Sequence, residues 1–176
     1  MSQLEASPAG CTAVEAGDAG AQLIESDIAA FRRAVPTAAG VRFDVLDCRA
    51  DGFVHRGERI VISARLAQRP KAQRFFIMAH ELGHLSLRHH AAMARFVADA
   101  VGRTADESAA GAVIDAGLTP LSRQAEFDAD AYAAKLMRDS GLDPEDAARL
   151  FDGIGPGQDN RTHPSPARRA RAIRAL

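Results

Sequence analysis

The sequence predicts an α+β fold, mostly helical, with a small antiparallel sheet packed on one central apolar helix. Three observations carry that expectation. Alanine dominates a hydrophobic share of 47%, and alanine favours helix while burying little surface, which suits packed helices better than a thick sandwich. Tryptophan is absent, with Tyr 1 and Phe 8, so Leu, Ile, Val and the phenylalanines must build the core. Strand-like alternation falls between Val41 and Ser63, whereas helical spacing recurs on both sides of it.

Each element follows from local signals. Residues 1–20 are rich in Ala, Gly, Ser and Glu without a period and read as a mobile leader. Residues 21–176 then form a single domain of ordinary size. From Ala21 to Val35, Leu23, Ile24, Ile28 and Phe31 recur at helical spacing, and Pro36 ends the segment. Residues 41–46 alternate as a strand should. A turn at Asp51-Gly52 leads to Phe53-Val54 and then to Arg59-Ile60-Val61-Ile62-Ser63. Phe75 to His90 is a strong helix, apolar over more than one face and hence central. Ala91 to Leu118 reads as one or two weaker helices. Thr119-Pro120 opens a helix to about Asp139, closed by Gly141; Asp143-Pro144 opens another to about Phe151. A glycine-rich loop follows, and Ser165-Pro166 caps a last helix to Leu176.

Composition narrows the function. Lys+Arg 22 against Asp+Glu 23 leaves a net charge of −1, which provides no electrostatic footprint for nucleic acid. The arginines Arg168, Arg169, Arg171 and Arg174 complement the dipole of the last helix. No run approaches the roughly 20 apolar residues of an integral membrane segment. Cys11 and Cys48 make neither a disulfide framework nor a zinc–thiolate site, and Cys48 reads as a small buried side chain. Ala9-Gly10-Cys11 is like the end of a lipoprotein cleavage site, but no charged and apolar regions precede it. The expected location is cytoplasmic.

The chemistry resides in His80-Glu81-Leu82-Gly83-His84, inside the apolar helix. Histidines four apart differ by about 40° in rotation and about 6 Å along the axis, so both imidazoles project from one face. That pair can bind one zinc ion, and Glu81 is placed to take a proton from the activated water. Three polar groups amid Phe76, Ile77, Met78, Leu82 and Leu85 need partners, and a metal would satisfy them together. Gly83 within a helix suggests close approach by another element.

A zinc hydrolase needs a third protein ligand. His90 stands where the metzincin pattern has its last histidine, but that pattern turns the chain at a glycine where this sequence has Leu87. His89 and His90 are therefore expected at the surface or at the helix end. Glu126 is the better ligand, with Asp130 one turn further on the same face. Asp130 can accept the free ring N–H of a ligating histidine.

The string H-E-L-G-H in an apolar helix is followed by E-F-D-A-D-A-Y-A-A-K-L, G-L-D-P-E-D-A-A-R-L-F and T-H-P-S-P-A-R-R-A. This ordered set resembles the HtpX / CAAX-prenyl-protease family of gluzincin metallopeptidases, in a minimal form lacking transmembrane helices. The resemblance implies a zincin-like domain in which His80, His84 and Glu126 hold zinc. Glu81 would be general base and Asp130 would support a ligand. It also implies that His163 comes near the zinc, either stabilising the oxyanion or gating the site, with Arg169 in the matching arginine position. Residues 73–80 resemble the soluble ImmA/IrrE peptidases as well.

The resulting expectation is a zinc-dependent endopeptidase acting on a peptide or protein, with room for a partner protein that supplies targeting. Ile60, Val61 and Ile62 are expected to form the edge strand on which substrate lies. The alternatives are an ImmA/IrrE-like regulatory peptidase cleaving one specific protein, and a zinc-binding interaction module without turnover.

Overall fold

The computed structural model describes residues 8, 10–103 and 106–176. Of the expected leader, residues 1–7 and 9 lie outside them. Its described part is structured. Cys11–Thr12 forms a short strand, β1, and Cys11 is joined to Cys48 by a disulfide. Two corrections follow: residues 11–12 belong to the sheet, and the two cysteines are a bonded pair rather than free thiols. Cys48 is buried, as expected. The pairing was hidden because 37 residues separate the two cysteines.

Helix α1 (Ala19–Ala34) starts where the Asp18 carboxylate accepts from the Ala21 N–H, and it buries Ile24, Ile28 and Phe31. A 3-10 turn at Pro36–Ala38 ends it. Strands β2 (Arg42–Cys48), β3 (Gly52–His55) and β4 (Arg59–Ser63) follow. The strand order is β1-β2-β4-β3, with β2 parallel to β4 and the other pairs antiparallel. The sheet is therefore mixed rather than antiparallel throughout.

This order overturns the placement of the edge strand. Ile60, Val61 and Ile62 lie in β4, hydrogen-bonded on both sides, and every residue of β4 is buried. A strand apolar on both faces has to be central. The edges are the two-residue β1 and, beside β4, the strand β3, with Phe53 and His55 only half-buried.

Helix α2 (Lys71–Ser86) buries Phe75, Phe76, Met78, Ala79 and Leu82 among Ile60, Ile62 and α1. It stops earlier than the sequence suggested: Arg88 adopts φ 57°, and α3 (His89–Arg103) begins at the next residue. Helix α4 (Glu107–Asp139) is one continuous element with Pro120 in its interior, so Thr119-Pro120 does not start a helix. Packing holds the join: the Phe96 ring of α3 covers Gly117, where an added Cβ would fall 2.1 Å from it. Beyond the proline, α4 buries Ala125, Ala129 and Ala133 at four-residue spacing. Against them lies Gly83 of α2, whose missing Cβ would sit 3.1 Å from Ala129 Cα. That contact is the close approach expected from Gly83. Helices α5 (Glu145–Ile154) and α6 (Pro166–Arg174) close the core with Leu150, Phe151 and Ile173.

Candidate active site

The close packing of α2 on α4 assembles the site. His80 and His84 project from one face of α2 with their Nε2 atoms 3.0 Å apart. Glu126 reaches them from α4, with Oε2 3.6 Å from His80 Nε2 and Oε1 3.3 Å from His84 Nε2. One donor atom from each residue fits within a 4.8 Å group able to hold a metal ion. Sequence spacing and the family resemblance proposed these three residues, and the fold brings them together.

The surroundings determine the state of each group. His80 Nδ1 lies 3.0 Å from Asp130 Oδ1, so Nδ1 donates to the carboxylate and the Nε2 lone pair faces the site. Burial disfavours a charged His80, but the Asp130 hydrogen bond and the carboxylates of Asp130 and Glu81 outweigh it and raise its pKa. Arg169, from α6, donates through Nε and Nη2 to both oxygens of Asp130, at 2.8 and 2.6 Å. Its Nη1 stands 2.9 Å from Glu126 Oε2, and its guanidinium stacks on Phe151 at 4.3 Å. Burial would raise the pKa of Asp130, yet the bonds from Arg169 and His80 lower it. Glu126 follows the same pattern: burial is outweighed by His84, His80, Arg169 and His163, which hold it at about 2.

Two features fit a cation. The paired Nε2 atoms converge with a carboxylate on one point, a donor set of nitrogen and oxygen suited to a divalent metal. Glu126 Oε2 is also buried without an aligned hydrogen bond, despite its ion-pair contact with Arg169.

Glu81 is buried beside the histidines, and that burial raises its pKa. Gly52, at the start of β3, leaves room for it: a Cβ there would sit 3.3 Å from Glu81 Cγ. His163 is half-exposed, its Nε2 3.6 Å from Glu126 Oε1. Its Nδ1 pairs with Thr162 Oγ1 at 2.7 Å, and its backbone N–H donates to Asn160 Oδ1. These groups line a cleft of about 420 Å³, walled by Phe53 and Val54 of β3, Met93 of α3, and Phe151 and Ile154 of α5.

A match to Peptidase family M48 spans residues 21–176. The chain belongs to that family. Among curated proteins none matches it. Family M48 peptidases are metallopeptidases acting on proteins or peptides, in keeping with the His80–His84–Glu126 cluster. The fold is the mostly helical α+β zincin-like arrangement that was expected, with a small mixed sheet in place of the antiparallel one. No helix among the described residues is long and apolar enough to cross a membrane.

Sequence reasoning missed two parts of the candidate site. The first is β3, since Phe53-Val54 is too short to advertise itself as an edge. The uninterrupted apolar run of Ile60-Val61-Ile62 was the available signal that β4 is central. The second is the burial of His89, which stands at a helix end, as expected, as the first residue of α3. Its Nδ1 lies 2.9 Å from His84 Nδ1. His90, one residue on, is exposed as expected.

Proposed function

We propose that this M48 chain is a zinc-dependent endopeptidase in which His80, His84 and Glu126 hold one zinc ion and Glu81 is the general base. The observation that carries this reading is the convergence of two Nε2 atoms and one carboxylate beside a buried glutamate. Zinc held by such a set polarises a carbonyl and makes water a nucleophile near neutral pH.

The chain's own residues do the rest. Glu81, made more basic by burial, takes the proton of the attacking water and delivers it to the leaving amine. Asp130 fixes the His80 tautomer, and Arg169 orients both Asp130 and Glu126. Because Arg169 is engaged with two carboxylates, oxyanion stabilisation falls to His163, whose ring is held by Thr162.

Substrate adds to β3 in place of the β4 edge expected earlier. Ser63 N–H donates to the Asp51 carbonyl, which sets the ladder so that Phe53 and His55 pair with β4. The backbone groups of Gly52 and Val54 then face outward for an extended peptide. The Cys11–Cys48 disulfide belongs to a class that persists in oxidising surroundings, so the working state proposed is the oxidised one, in place of a cytoplasmic chain.

The decisive experiment compares wild type with Glu81→Gln on a denatured protein substrate. Cleavage should fall by roughly 10²–10⁴-fold while bound zinc stays stoichiometric. Equal cleavage by both proteins would remove Glu81 from the mechanism. A wild type that binds zinc but never cleaves would favour the non-catalytic module.

A further inference from the structure

We propose that His89 is a positioning residue for the metal: it holds the His84 ring so that Nε2 presents its lone pair to the site. The inference rests on the metallopeptidase reading above and extends it to a residue that reading does not use.

Two observations meet here. The first is the contact itself, Nδ1 to Nδ1 at 2.9 Å between two rings inclined at 77°. One nitrogen of such a pair must donate and the other accept. When His84 binds a cation through Nε2, its proton resides on Nδ1, so His89 Nδ1 becomes the acceptor and its own proton lies on Nε2. His80 is served in the same way by Asp130 at 3.0 Å. Each histidine of the pair thus has a dedicated acceptor behind it, an aspartate for one and an imidazole for the other.

The second observation is the backbone that delivers His89. Within an uninterrupted helix, residues five apart differ by about 140° in direction, so His89 could not return to His84. The chain instead leaves the helix after Ser86 and turns through Arg88 at φ 57°. A bulky side chain rarely adopts that conformation, and strain of this kind gathers where geometry serves function. The turn restarts the chain as α3 with His89 buried against His84.

Asparagine supplies the test, because its Oδ1 is as many bonds from Cα as histidine Nδ1 and can only accept. Zinc affinity is measured by competition with a chromophoric chelator for wild type, His89→Asn and His89→Leu, and thermal midpoints are measured on the metal-free proteins. Zinc binding should weaken by roughly 10–100-fold in His89→Leu and largely recover in His89→Asn. The metal-free midpoints should not follow that order. A leucine variant binding zinc as tightly as wild type overturns the assignment, as does an asparagine variant as weak as leucine. If the leucine variant does not fold, His89→Ala takes its place in the same comparison. Wild type that binds no zinc overturns the metallopeptidase reading together with this one, whereas intact binding in every variant overturns only the role of His89.

Discussion

Two buried carboxylates, Glu126 and Asp130, are held ionised by cationic neighbours. Such groups link folding to pH with a definite sign. Glu126 has its pKa lowered from 4.5 to about 2, so its contribution is complete above the unfolded value and is lost as pH falls through the folded one. Asp130 acts in the same direction. Urea midpoints of the metal-free protein should therefore drop between about pH 4.5 and pH 2. Glu126→Gln should be less stable at neutral pH and show a shallower acid limb. An acid limb unchanged by that substitution would assign the effect to other carboxylates.

Among the secondary-structure elements, the α2–α4 contact decides whether the ligands meet. Gly→Ala in an ordinary helix interior gains about 1 kcal/mol. At Gly83 the sign should reverse, because the new methyl would lie 3.1 Å from Ala129 Cα and 3.3 Å from its carbonyl oxygen, both backbone atoms that cannot swing aside. We expect Gly83→Ala to cost about 1–3 kcal/mol in chemical denaturation. It should also weaken metal binding, since separating the helices draws Glu126 from the histidine pair. A stabilised variant would mean that α4 can retreat freely. The same scale explains an unexpected length: α4 runs through Pro120 because Phe96 packs on Gly117 and joins α3 to its first half.

For the molecule as a whole, the disulfide ties the start of the described chain to β2. Closing 37 residues of chain is worth about 2–4 kcal/mol through the unfolded state. Reductant should lower the urea midpoint of wild type by a corresponding amount, and Cys48→Ser should match reduced wild type and respond no further. Identical midpoints with and without reductant would show that the bond is not formed in solution. The sheet order belongs to this scale too. β4 occupies the centre because Ile60, Val61 and Ile62 are apolar toward both faces. Of the two outer strands, β1 and β3, it is β3 that borders the cleft and is open to a peptide there.

Much of the site was legible without coordinates. Within a helix, separation in sequence is direction in space, so the four-residue spacings of His80 with His84 and of Glu126 with Asp130 already set their shared faces. The apolar setting of α2 marked it as central, and Gly83 announced a close neighbour. Tertiary structure alone decided the strand order, the Cys11–Cys48 bond, the left-handed turn at Arg88 that returns His89, and the engagement of Arg169 by two carboxylates. Each of these depends on which distant surfaces cover one another, a long-range packing choice that no local period encodes.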